Sequence, residues 1–165
     1  DKAVKVGILS GNQSQLGMRQ RLKSVKDNLA EAGIEISWIL SEKELDKKMR
    51  NVEYFTENPV DAVISLENDD TEKAVDIILN HDSISWKLYG EGRSEKLIYY
   101  LDKGTIQELA VPNEYYMGYQ SIVLAAQNIR FYTEKTEQSE VEFYMVSKEN
   151  LYDEETSRIL FPTVR

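Results

Sequence analysis

The sequence predicts an α/β domain: a doubly wound, three-layer sandwich on a mostly parallel sheet. Three observations carry this. Short β-branched runs recur down the chain, each is followed by a segment with apolar residues at helical spacing, and the connections are short. Such units bury both faces of a parallel sheet, because every parallel connection needs a crossover, usually a helix, to return the chain.

The first unit opens at Ala3 to Leu9, where Val4, Val6 and Ile8 alternate around Lys5 and Gly7. Ser10-Gly11-Asn12-Gln13-Ser14 supplies turn residues. Gly17 to Ala32 then carries Leu22, Val25, Leu29 and Ala32 at helical spacing, with Gly33 where a C-terminal cap belongs. Ile34 to Leu40 is a second strand. Ser41-Glu42-Lys43-Glu44 has capping-box spacing and opens one helix through Leu45, Met49, Val52 and Phe55 to about Glu57, stopped by Asn58-Pro59. Ala62 to Leu66 is the third strand, followed by the acidic turn Glu67-Asn68-Asp69-Asp70, in which Asp69 or Asp70 is expected to cap a helix carrying Ala74, Ile77 and Ile78.

Trp86 to Tyr89 is the fourth strand, Gly90-Glu91-Gly92 a loop, and Ser94 to Leu101 a helix closed by Asp102-Lys103-Gly104. Ile106 to Val111 is the fifth strand. After Pro112-Asn113 comes a helix from Glu114 to about Arg130, then a polar linker, Thr133 to Glu140, expected to be mobile. Val141, Phe143 and Met145 alternate as a last strand, and Ser147 to Arg165 is a tail. Trp38 and Trp86 lie in strands and are expected in the core.

Composition removes several function classes. A chain of 165 residues is one domain by size, so a function that needs two full lobes takes the second from elsewhere. With 29 acidic against 20 basic residues, a net charge of −9 and no basic run, this segment is not expected to bind nucleic acid. It has no cysteine, which excludes thiol nucleophiles, disulfides and zinc-thiolate sites. A Ser-His-Asp triad would have to use His81, which sits at a helix end among Asn80, Asp82 and Ser83, where a cap or surface role fits better. No apolar stretch is long enough to span a bilayer, and the first residues lack the zones of a signal peptide, so the chain reads as starting directly in a strand.

In doubly wound sheets ligands bind beyond the carboxyl ends of the strands. The loop Gly11 to Gly17 has neither G-x-G-x-x-G spacing nor a G-K-[ST] ending, so it is not a phosphate cradle. The amides of Asn12 and Gln13 are instead groups that hydrogen-bond neutral polyols. Arg19 and Arg21 are two apart on a helix and point to different sides, so only one is expected to face the strand ends. Glu67, Asp69 and Asp70 have the carboxylate density of a cation site without the ligand spacing of a calcium loop, and nothing places them around a bond to be cleaved. No catalytic residue, metal or cofactor is expected.

The order of these loops resembles the second half of type I periplasmic sugar-binding proteins and the related effector domains of LacI-like regulators. The segments that carry the resemblance are Arg21-Leu22-Lys23-Ser24-Val25, Asp61 to Asp69, Leu101 to Ile106, and Val111-Pro112-Asn113-Glu114-Tyr115-Tyr116-Met117-Gly118-Tyr119. The closing Val146 to Leu151 resembles the transport members more than the regulators. The resemblance implies that residues 1–165 are a C-terminal lobe whose N-terminal lobe is missing. It assigns Arg21 and Asn68 as sugar contacts, with Asp69 as helix cap. The family's aspartate after the fourth strand falls on Gly92, or on Glu91 if the loop shifts by one, and its polar residue after the fifth strand falls on Pro112. The expected ligand-binding set is therefore Arg21, Asn68, Glu91, Gln13 and Asn12.

Residues 113–140 would cross to the N-terminal lobe. With that lobe absent, the apolar face of Met117, Ile122, Leu124, Ala125, Ile129 and Phe131 is expected to fold back or to pair with a second copy as a homodimer through 114–130. The implied function is capture of a sugar or related polar solute, outside the cytoplasm as a periplasmic protein or anchored lipoprotein, for a membrane permease or a sensor kinase. The alternative is the effector-binding and dimerisation core of a LacI-like regulator, which would be cytoplasmic. A response-regulator-like domain needs an acidic pair after the first strand, and Ser10 to Ser14 has no acid.

Overall fold

The computed structural model describes residues 4–131 and 143–161. Six strands form one sheet: β1 (Lys5–Leu9), β2 (Glu35–Leu40), β3 (Ala62–Ser65), β4 (Lys87–Glu91), β5 (Ile106–Pro112) and β6 (Phe143–Ser147). Their order is β2-β1-β3-β4-β5-β6; the first five are parallel and β6 runs antiparallel to β5. The helices are α1 (Leu16–Glu31), α2 (Glu42–Lys48), α3 (Glu53–Glu57), α4 (Asn68–Asn80), α5 (Glu95–Asp102), α6 (Glu114–Phe131) and α7 (Glu154–Leu160). The expected α/β fold with a mostly parallel sheet is thus present.

Strand order and crossover handedness decide how the faces are covered. Right-handed connections put α1 on one face and send every later crossover to the other, because the chain reverses direction across the sheet at β1. The packing agrees. Leu45 of α2, Phe55 of α3, Val75 of α4 and Leu101 of α5 share one large core with Leu9, Val63, Leu88 and Leu109 of the sheet. Trp38 and Trp86 belong to this core, 6.0 Å apart, with Phe55 between them. On the opposite face, Leu22, Val25 and Leu29 of α1 pack in a smaller cluster with Val6 and Ile8 of β1, Ile36 and Ile39 of β2, and Ala62 and Ile64 of β3.

Several boundaries differ from the sequence reading. The helix expected from Glu42 to Glu57 is two, because Asn51 Oδ1 accepts the Glu53 N–H at 3.3 Å and starts a new turn. Strand β4 runs on through Gly90 and Glu91, which pair with Leu109 and Ala110, so two residues of the expected loop are strand. Gly90 is required there: a Cβ would lie 2.3 Å from Thr71 Cγ2. The tail contains α7, unforeseen because it is only seven residues long, and it docks into the large core through Leu160, with Leu151 just before it. Val141 and the linker from Thr133 to Glu140 lie outside the described residues.

Helix α6 stands apart from both clusters. Tyr115, Ile122 and Ile129 are 84%, 72% and 78% exposed, and Tyr119 and Met117 are exposed as well.

Candidate ligand-binding site

The carboxyl ends of β1, β3 and β4 come together beside the β1/β3 switch point. The β1–α1 loop is fixed from below by two acids of the β3–α4 turn. Asp70, fully buried, accepts the Gly11 N–H at 3.2 Å, and Glu67 Oε2 accepts the Asn12 N–H at 3.1 Å. Gly11 has φ +65, and a Cβ there would meet Glu67 Oε2 and Met18 Cε at 2.5 Å. Its carbonyl accepts the Glu42 N–H at 3.2 Å, tying in the loop after β2.

The expectation that Asp69 or Asp70 caps α4 is corrected. Glu67 occupies the N-cap position without a side-chain cap bond; Asp69 is an exposed first-turn acid and Asp70 is turned into the interior. Asp70 serves the Gly11 N–H of the β1 loop rather than its own helix end. The three carboxylates do not converge on one point, and the described residues contain no cluster of His, Cys, Asp and Glu suited to a metal.

Of the two arginines, only Arg21 reaches the strand ends. Its guanidinium donates to the Leu66 carbonyl at 3.0 Å and to the carboxylate of Glu91. Arg19 instead donates to the carbonyls of Gln13 and Ser14 at 2.9 and 2.8 Å and locks its own loop. Gln13 donates its amide to the Ser10 carbonyl, and Asn12 Oδ1 accepts the Ser14 N–H and hydroxyl at 3.0 and 2.7 Å. Both amides thus shape the loop from within.

Asn68 begins α4 and donates to Glu72 Oε1 at 3.2 Å. Its other atom, Oδ1, faces Gly92: a Cβ on Gly92, whose φ is +130, would lie 2.2 Å away. Position 92 therefore has no room for a side chain, and the carboxylate beside Arg21 is Glu91. Pro112 ends β5 on the same side. Arg21, Glu91 and Asn68 are brought to one rim; Asn12 and Gln13 line the adjoining loop.

Sequence reasoning missed Thr71. Its buried hydroxyl lies within hydrogen-bond distance of the Ser65 hydroxyl and the carbonyls of Glu67 and Glu91, at 3.0, 2.8 and 3.0 Å, and so joins α4 to β3 and β4. The signal was available for Asp70: it shares the apolar stripe of Ala74 and Ile77 at helical spacing, which marks a buried acid.

Burial pushes the Asp70 carboxyl above the usual range, against the pull of Lys73, and Glu67 raises it further. Lys73 is also buried in part, which lowers its pKa, but its bond to Asp46 at 2.8 Å and the charge of Asp70 outweigh this and raise it. Burial likewise pushes Glu91 up, against the bond to Arg21. An acid whose folded pKa is raised binds protons more readily when folded. Its stabilisation is complete below the unfolded pKa and is lost as pH rises through the folded one. Asp70→Asn keeps an acceptor for Gly11 and removes this titration. Urea unfolding should show the variant gaining on the parent between pH 4 and pH 8; a difference that is flat or falls with pH contradicts the assignment.

The rim is a polar edge that carries the Asn68 amide, one arginine and one carboxylate, groups that hold a polar ligand. Residues 1–133 match the model of the periplasmic binding protein domain, and the chain belongs to that family, which is one of binding proteins. Among solved structures, the chain is similar to a carbohydrate transporter solute-binding protein of Agrobacterium radiobacter in complex with D-arabinose, with 18% identity and a TM-score of 0.82 over 96% of this chain and 55% of that one. It is similar to the myo-inositol-binding protein of Caulobacter, at 16% identity and TM-score 0.79 over 95% and 55%. A Bacteroides fragilis protein assigned to the LacI transcriptional regulators gives 17%, 0.72, 91% and 55%. The chain thus spans about half the length of these proteins. No curated protein matches it.

Proposed function

We propose that this chain is the C-terminal lobe of an extracytoplasmic solute-binding protein that captures a sugar or related polyol and delivers it to an ABC permease. The observation that carries this is the convergence of Arg21, Glu91 and Asn68, from α1, β4 and α4, on one polar rim at the switch point. Family membership and the sugar complexes among the similar structures support it. Binding needs no chemistry: paired donors and acceptors hold hydroxyls, and closure of a second lobe excludes water. The exposed face of α6 is the surface for that lobe, with a homodimer through 114–130 as the arrangement when it is lacking.

Arg21→Ala tests the reading in the two-lobed protein. It removes the donor and leaves the Glu91 charge half-buried without its partner. Calorimetric titration with D-arabinose, D-tagatose, D-galactose and myo-inositol should show the best ligand losing about 100-fold or more in affinity, the weight of a charged hydrogen bond at a desolvated site. Unchanged affinity contradicts the assignment.

The match to the Bacteroides protein supports a second reading, the effector-binding core of a LacI-like regulator. The two readings differ in what precedes residue 1: an export signal and anchor for the first, a helix-turn-helix for the second. A transmembrane helix there would make the protein a sensor working with a kinase.

A further inference from the structure

The Gly11 peptide is gripped on both sides. Its N–H donates to Asp70 Oδ2 at 3.2 Å, and its carbonyl accepts the N–H of Glu42, the first residue of α2, at 3.2 Å. Asp70 Oδ1 lies 3.5 Å from Lys73 Nζ, and the same Nζ lies 2.8 Å from Asp46 Oδ1, one turn along α2 from Glu42. The contacts close a ring that runs from Gly11 through Asp70, Lys73 and Asp46 to α2 and back to Gly11. Next in sequence stand Asn12 and Gln13, the amides beside the rim. We infer that Lys73 is a positioning residue for ligand binding: held by Asp46, it keeps Asp70 on the Gly11 N–H, and so fixes the loop that carries Asn12 and Gln13 without touching the ligand. This rests on the reading of the rim as a ligand site.

Electrostatics give each member its task. A carboxylate wholly withdrawn from water is costly unless an opposite charge and hydrogen bonds compensate it, and Asp70 is fully buried. The charged groups acting on it are Lys73 on its own helix and Glu67 just before it, with Asp46 of α2 behind Lys73. Glu67 opposes the ionised form, so Lys73 is the charge that favours it. The ionised form matters to the loop, because a carboxylate takes a backbone N–H roughly twice as strongly as a neutral acceptor. Lys73 is long and partly exposed, and Asp46 removes its freedom to turn to water. The Asp70 charge therefore works against the fold, as its raised pKa shows, yet it holds the loop in place and lowers the ordering cost of binding.

The test uses the two-lobed protein, titrated calorimetrically between about pH 5 and pH 8 with whichever of D-arabinose, D-tagatose, D-galactose and myo-inositol it binds best. Lys73→Met is expected to lower affinity about 10-fold near pH 7, the weight of a charge-assisted hydrogen bond. It should also move the loss of affinity on acidification upward by about 1 pH unit, since no opposite charge then keeps Asp70 ionised. Asp46→Asn shifts both in the same direction by less, and Lys73→Arg restores most of the affinity. Asp70→Asn removes the Asp70 part of the profile, while Glu91, which also titrates, is unchanged in every variant. Val75→Ala, in the core on the same helix, lowers the unfolding midpoint but leaves affinity and profile as in the parent.

If Lys73→Met keeps the parent's profile, even with weaker binding, the triad is only a structural brace and the inference is overturned. Should Lys73→Met fail to fold, Asp46→Asn decides on the same criterion. A parent that binds none of the four ligands, or that Arg21→Ala matches in affinity, overturns the ligand-site reading and the inference with it. Loss in Arg21→Ala without loss in Lys73→Met overturns the inference alone.

Discussion

Placing aspartate at position 92, where the resemblance to sugar-binding proteins first puts it, is expected to destabilise the lobe by roughly 3 kcal/mol or more, the sum of an overpacked contact and a side chain forced onto positive φ. Gly92 has φ +130, and any Cβ would fall 2.2 Å from Asn68 Oδ1 and 2.8 Å from Leu97 Cδ1. Leu97 is fully buried in the large core and cannot give way. Asn68 would have to turn, breaking its bond to Glu72 and removing one polar group from the rim. Denaturant unfolding reads the loss, and Gly92→Ala, which carries the same Cβ without a charge, should show most of it. A stably folded Gly92→Asp protein that binds sugar more tightly would mean that position 92, and not 91, is where the family's aspartate belongs, and would contradict the role given to Glu91.

This prediction also shows where the sequence was informative. The short strand runs around Val63, Leu88 and Leu109, each followed by a helical stripe such as those of α1 and α4, were enough for the fold, because repeated strand–helix units leave a repeating mark on the chain. Helical geometry said that only one of Arg19 and Arg21 faces the strand ends, and the resemblance singled out Arg21. The choice between Glu91 and Gly92 was not legible, since it depends on β4 running two residues further than expected, past Gly90, where Thr71 of α4 packs close. The role of Asp70 was hidden for a similar reason: an acid after a strand looks like a helix cap until the loop that needs its carboxylate, at Gly11, is seen 59 residues away in sequence. The break between α2 and α3 turned on one Asn side chain competing with the helix backbone.

The exposure of α6 was legible only in part. The sequence pointed to α6 as a helix with an apolar face and no evident seat in this lobe. It gave no hint that Tyr89, Phe143 and Met145 would be exposed among the described residues as well.

The second large effect concerns binding itself. On the two-lobe proposal the rim is one wall: Arg21, Glu91 and Asn68 satisfy only the hydroxyls that face them, and the second lobe is what excludes water. A sugar held by half its hydrogen bonds in an open site gains little over its hydration. Residues 1–165 alone should therefore bind with a Kd of about 1 mM or weaker, and the two-lobed protein about 1000-fold more tightly, a difference of ~4 kcal/mol. The most direct measurement is calorimetric titration of both forms with the same ligand, the one among D-arabinose, D-tagatose, D-galactose and myo-inositol that the two-lobed protein binds best. The predicted result is micromolar affinity for the two lobes together and millimolar or undetectable affinity for the single lobe. Equal affinity of the two forms would contradict the claim that this domain is one half of a site.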